Sequence, residues 1–166
     1  MNVVRRQLTL FLTEQNQIIE EIRATYNPKQ FELIKAHVTL CREDEIENNL
    51  EEVIQNCHNL HWHKPISIHF NPPERFSEGK GVFISGNETN TDFETLRKNI
   101  LQKNSLKKHV PHITLIHPRN GTCTDTIFEV IQSKEFPSSI NFYTLALIKQ
   151  TGNEKWKILE EFLITT

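Results

Sequence analysis

The chain has 166 residues, 37% of them hydrophobic and 24% charged, with 19 Lys+Arg against 21 Asp+Glu and a formal net charge of −2 at pH 7. That length can bury a real core, and that composition excludes disordered and fibrous classes. The charge balance excludes a global basic field for long duplex DNA, so a nucleic-acid partner is expected only as a short piece or an end.

"VVRRQLTLFL" alternates apolar and polar residues and predicts a first strand. Glu14 to Tyr26 predicts a helix, with Ile18, Ile19 and Ile22 on one face and Pro28 beyond its end. "ELIKAHVTLC" (32–41) predicts a second strand, and Glu43 to His58 a second helix with Ile46, Leu50, Val53, Ile54 and Cys57 at helical spacing. "KPISIHF" and "GVFISG" predict short strands joined by the turn-rich loop "NPPERFSEGK". Asp92 to Gln102 predicts a third helix capped by Thr91, with Glu94 at capping-box spacing. "KKHVPHITLIH" predicts another strand, and Thr126 to Lys134 a fourth helix. "SINFYTLALIKQ" and "KWKILEEFLIT" predict a final strand pair around the turn "TGNE". Most connections between strands are short, so an antiparallel α+β arrangement is expected.

Two stretches repeat. "ELIKAHVTLCRE" (32–43) and "KHVPHITLIHPR" (108–119) align without a gap, and His37-Val38-Thr39-Leu40 matches His112-Ile113-Thr114-Leu115, 75 residues on. On a strand, residues i and i+2 share a face ~6.5 Å apart. His37 and Thr39 therefore share one face, as do His112 and Thr114, while Val38, Leu40, Ile113 and Leu115 point to a core. If a pseudo-two-fold axis relates the halves, two histidines and two threonines converge in one cleft. Such a set has a chemical use. Two histidines that titrate near neutrality can act as general base and general acid across a phosphodiester, with a rate maximum near neutral pH. Two hydroxyls can donate to the non-bridging oxygens, where charge accumulates. No metal or cofactor is required.

Two H-x-T-Φ motifs at this spacing, in a chain under 200 residues, resemble the 2H phosphoesterases. That superfamily includes 2′,3′-cyclic nucleotide phosphodiesterases and 2′-5′ RNA ligase-like proteins. The resemblance implies a bilobal fold over residues 1–166, antiparallel sheets lining a central groove with helices outside, one domain of two intimately packed lobes. It implies His37, Thr39, His112 and Thr114 as catalytic residues. It implies a metal-independent hydrolysis of 2′,3′-cyclic phosphates on nucleotides or RNA ends, or of 2′-5′ linkages. The same site run in reverse would ligate. Many members of the ligase-like branch carry an arginine after the second motif, where this chain has His117; Arg42 holds the matching place after the first.

Other residues carry weaker expectations. Lys35 shares the parity of His37 and Thr39 and is a candidate for a second phosphate. Arg42, His117, Phe11 and Tyr143 are further substrate-binding candidates, the aromatics by stacking on a base; Phe76 is a third aromatic of that kind. His117 reaches the cleft only if the strand bends at "HP". His109, three residues before His112, is expected on the opposite, surface side, and His109→Ala to be silent. Arg5-Arg6 and Lys107-Lys108 are read as solvated edge charges. "CHNLHWH" (57–63) offers Cys57, His58, His61 and His63 as zinc ligands, but Cys57 fits the apolar stripe of its helix. The three cysteines, Cys41, Cys57 and Cys123, form no CxxC pair and suggest a reducing, cytoplasmic setting. No signal peptide or membrane span is read, and a monomer is expected. Two rival functions remain, a catalytically idle nucleotide or RNA-end binding module and a zinc-dependent hydrolase or sensor.

Overall fold

The computed structural model describes residues 2–103 and 106–164. In chain order the elements are β1 (Val4–Phe11), α1 (Gln17–Tyr26), α2 (Pro28–Leu33), β2 (His37–Cys41), α3 (Glu43–Ile46), α4 (Leu50–His58), β3 (Ile66–His69), β4 (Glu74–Phe76), β5 (Gly81–Ser85), α5 (Thr91–Leu101), β6 (His112–Ile116), α6 (Asp125–Gln132), β7 (Ser139–Phe142), β8 (Thr144–Thr151) and β9 (Lys157–Leu163). Every ladder among them is antiparallel.

One sheet runs β2-β1-β8-β9. In the other half β5 pairs with β6 on one edge and with β4 on the other. An isolated bridge, Phe70 to Gly86, brings the end of β3 onto that second edge, and β3 carries β7. Each motif strand thus lies at a sheet edge. The helix after β1 packs on β6, and the helix after β5 packs on β2, so each half covers the other's motif strand. Leu8, Val38, Leu40, Val82, Ile84, Ile113 and Leu115, from both halves, belong to one buried cluster. Burying each such side chain contributes roughly 1.5–3 kcal/mol. Among the described residues no helix is long and apolar enough to cross a membrane.

Several boundaries differ from expectation, each for a local reason. Residues 32–36 do not open the second strand: Glu32 and Leu33 end α2, which Pro28 starts where its missing N–H costs nothing, and residues 34–36 are irregular. Residues 43–58 are two helices, not one. The break falls at Glu47-Asn48-Asn49, and Asn favours caps over helix interiors; Asn49 has non-helical dihedrals and precedes α4. Residues 71–80 hold β4 within the expected loop. Thr91 begins α5 and does not cap it; Asn90 precedes it, with Oδ1 accepting from the His69 N–H. The strand expected over 107–117 begins only at His112. "SINFYTLALIKQ" is two strands. Ser139–Phe142 joins β3 and Thr144–Thr151 joins β1 and β9, so the chain crosses between sheets at Tyr143. The turn between β8 and β9 is tight, with Gly152 at φ 55°. The last residue assigned to the final strand, Thr165, lies outside the described residues.

Candidate active site

The two motif strands are the same object built twice. Each shows an alternating pattern that ends in two consecutive buried residues, His37 to Cys41 and His112 to Ile116. The reason is a β-bulge at the same place in both. Leu8 pairs with Cys41 and Thr9 with Thr39, so Leu40 is extra. Val82 pairs with Ile116 and Phe83 with Thr114, so Leu115 is extra. One extra residue reverses the parity of everything after it. His117, at an odd offset from His112, is thereby returned to the face of the histidine and threonine.

The imidazoles are held alike. His37 donates from Nδ1 to the carbonyl of Lys35 at 2.8 Å, and His112 from Nδ1 to the carbonyl of Val110 at 3.0 Å. Each bond fixes the ring tautomer and leaves Nε2 as the available nitrogen. Each ring also lies beside an aromatic side chain of the paired strand, Phe11 at 6.1 Å from His37 and Phe83 at 5.6 Å from His112.

His37, Thr39, His112 and Thr114 line one pocket of about 180 Å³. His117, Arg5, Gln7, Arg23, Gln30, Ile34, Arg119 and Trp156 complete it. No carboxylate is on that lining, so the pocket is locally cationic in a chain of net charge −2. Burial lowers His37 to about 4; the Lys35 hydrogen bond partly offsets this, and Arg23, His112 and His117 reinforce it. Burial, then Arg119 and His112, lower His117 to about 4 as well. Two N–H groups of Arg119 crowd the His117 ring, the backbone donor 3.1 Å from Nδ1 and Nη2 3.1 Å from Nε2, which disfavours a protonated imidazole. Arg23 is buried, with Nη1 on Glu20 and Nη2 on the Ile34 carbonyl, both at 2.6 Å.

The other candidates lie elsewhere. Lys35 is exposed and meets the site through its carbonyl alone; its side chain is not on the lining. Arg42 has the parity of His117, but it turns into α3, with Nε 3.4 Å from Asp44 and 3.7 Å from Glu45. Phe11 packs against Ile34, Ala146 and Ile148 beside the pocket. Tyr143 donates to Glu14 at 3.4 Å where β7 gives way to β8. Phe76 packs on Phe83 at 4.6 Å.

His109 is a correction. It is half-buried, stacks on Phe93 at 5.9 Å, lies 6.1 Å from His112 and donates from Nε2 to the Thr39 carbonyl at 2.9 Å. Parity failed because the strand starts after Pro111. Arg5 is a second correction, being on the pocket wall with its guanidinium over Trp156. Its parity with Thr9 was visible in the sequence. Gln30, Arg119 and Trp156 arrive from a short helix and two loops, and periodicity carries no signal for them.

The "CHNLHWH" group does not converge. Cys57 is buried in the core and His58 pairs with Glu160 at 2.8 Å. Among the described residues no three His, Cys, Asp or Glu side chains gather as metal ligands do. All three thiols are buried, and burial raises each of them, Cys57 to about 12.

Residues 12–154 match the family model described as the 2′-5′ RNA ligase superfamily. The chain belongs to that superfamily. It is thus a 2H phosphoesterase in the broad sense, with the mixed α and β, antiparallel architecture of that group. Solved structures agree on the fold of this 2′-5′ RNA ligase superfamily member. E. coli LigT in apo form matches with a TM-score of 0.64 and 16% identity over 98% of both chains. E. coli LigT complexed with 3′-AMP matches at 0.60 and 14%, again over 98% of both. TT0787 of Thermus thermophilus matches at 0.56 and 14%, over 97% of this chain and 98% of that one. No curated protein sequence matches.

Proposed function

We propose that this superfamily member is a metal-independent phosphodiesterase that opens 2′,3′-cyclic phosphates on nucleotides or RNA ends, or cleaves 2′-5′ linkages. The observation that carries the reading is the paired Nδ1 anchoring of His37 and His112, which frees both Nε2 atoms beside Thr39 and Thr114 in one cationic pocket. That E. coli LigT has been crystallised with 3′-AMP, a nucleoside phosphate, agrees with this substrate class. The whole chain acts as one domain, each lobe contributing one motif, and the shared core supports that view.

His37 is the base, since burial keeps it neutral at physiological pH. Its Nε2 takes a proton from water as the water oxygen attacks phosphorus. The bond from phosphorus to one ribose oxygen breaks, and His112 delivers the proton from its Nε2 to that oxygen. Thr39 and Thr114 donate to the non-bridging oxygens as charge builds on them.

The test is an assay against 2′,3′-cyclic mononucleotides, oligoribonucleotides with 2′,3′-cyclic ends and 2′-5′-linked dinucleotides, with and without excess EDTA. Turnover that persists in EDTA is expected. Activity lost to the chelator and restored by zinc would replace this mechanism with a metal-dependent one, and binding without turnover would leave a recognition module.

A further inference from the structure

The pocket that holds the two motifs continues past His117. Arg5, Gln30, Arg119 and Trp156 line it and also line a neighbouring cavity of about 350 Å³, so the two spaces share a wall. Arg5 projects from the same face of β1 as Thr9, four residues or ~13 Å along the strand. Its guanidinium bonds Gln150 Oε1 and sits 5.5 Å from the centre of the Trp156 ring. Arg119 approaches from the loop after β6. Among the described residues neither arginine is ion-paired. Glu32 is the one carboxylate on the second cavity's lining, and it is exposed. Arg119 lies close enough to Arg5 that its protonation is held down, by burial first and by Arg5 next. Two unneutralised guanidinium groups on one shared wall form a receptor that a second anionic group satisfies. The arrangement is one-sided. Gly79, in a turn, occupies the place in the second half that corresponds to Arg5.

We propose that Arg5 and Arg119, with Trp156 backing Arg5, form a second phosphate subsite, so that the substrate is a nucleotide carrying a further phosphate and not a nucleoside cyclic phosphate alone. This rests on the His–Thr pocket being the site of the first phosphate. The second phosphate comes either from a 5′-phosphate on the same nucleoside or from the next linkage of an RNA end, and the probes separate these.

Binding by calorimetry at low salt tests the subsite without requiring turnover. The probes are adenosine 3′-monophosphate, adenosine 3′,5′-bisphosphate and a diadenosine dinucleotide ending in a 3′-phosphate. At least one two-phosphate probe should bind about tenfold or more tighter than the monophosphate. Which one does so identifies the source of the second phosphate. Arg5→Gln and Arg119→Gln should each shrink that ratio, and the double variant should bring it close to one. Arg5→Lys, which keeps the charge and loses the fork, should fall between. Equal affinity for all three probes in the wild type, or a ratio that survives in the double variant, overturns the subsite. Absence of turnover in the substrate panel would instead count against the catalytic reading.

Discussion

His109 Nε2 lies 2.9 Å from the carbonyl oxygen of Thr39, so the histidine just before one motif is bonded to the backbone of the other. Arg97, from α5, adds a second tie at the carbonyl of Leu40, at 2.5 Å, while pairing with Glu45 at 2.7 Å. These donors tie the segment before β6, through His109, and α5, through Arg97, to the backbone of β2.

His109→Ala should therefore lower kcat, by roughly tenfold, because small displacements of reacting groups are costly even from outside the chemistry. His109→Gln keeps a donor within reach of the carbonyl and should recover much of the loss. Steady-state kinetics of both variants check this; a silent alanine variant would mean that the tie does not position Thr39.

His37→Ala and His112→Ala should each reduce turnover by roughly 10²–10⁴-fold. The pH profile of kcat/KM discriminates their roles. Since burial places His37 at about 4, the wild-type rate should rise with pH through that value, well below the ~6.5 of an ordinary histidine. The acidic limb should vanish in His37→Ala and persist in the residual activity of His112→Ala. The reverse assignment of limbs would exchange base and acid.

If Thr39 and Thr114 hold the phosphoryl oxygens as proposed, Thr39→Ala and Thr114→Ala should each cost on the order of 2–4 kcal/mol of transition-state stabilisation. Thr→Ser at either place should be mild. Equal damage from serine and alanine in both motifs would assign the side chains to packing.

Stability should fall on acidification before the carboxylates titrate. His37 and His117 are lowered to about 4, and His109 is lowered too, so between roughly 6.5 and 4 the unfolded chain binds protons that the folded chain refuses. The stabilisation is complete above the unfolded value of about 6.5 and is lost as pH falls toward the folded ones. Urea midpoints at pH 7.5 and 5.5 measure it. The midpoint should drop at the lower pH, and His117→Gln should make the drop smaller; an unchanged wild-type midpoint would contradict the buried neutral rings.

The periodic parts of this protein were legible in its sequence. Val38, Leu40, Ile113 and Leu115 announced two strands with one apolar side, and the gapless repeat placed four polar side chains on the other. Parity reasoning stopped being reliable where regular backbone stopped. Pro111 delays β6 and frees His109 from strand geometry, and the extra residue at Leu115 turns His117 inward. The crossing at Tyr143 was invisible because Phe142 and Leu145 are equally apolar, whichever sheet receives them. Arg119 and Trp156 meet through loops whose course depends on the folded whole.

The paired bulges also bear on direction. Up to Leu40 and Leu115 the halves are near copies, and a site with two-fold symmetry treats both ends of a phosphodiester alike. Beyond the bulges the copies part: Arg42 turns aside into α3, whereas His117 and Arg119 remain at the pocket. An identical extra residue in each half is thus a point at which a symmetric frame acquires handedness, one strand handing its next side chain to a neighbouring helix and the other keeping its own at the pocket wall.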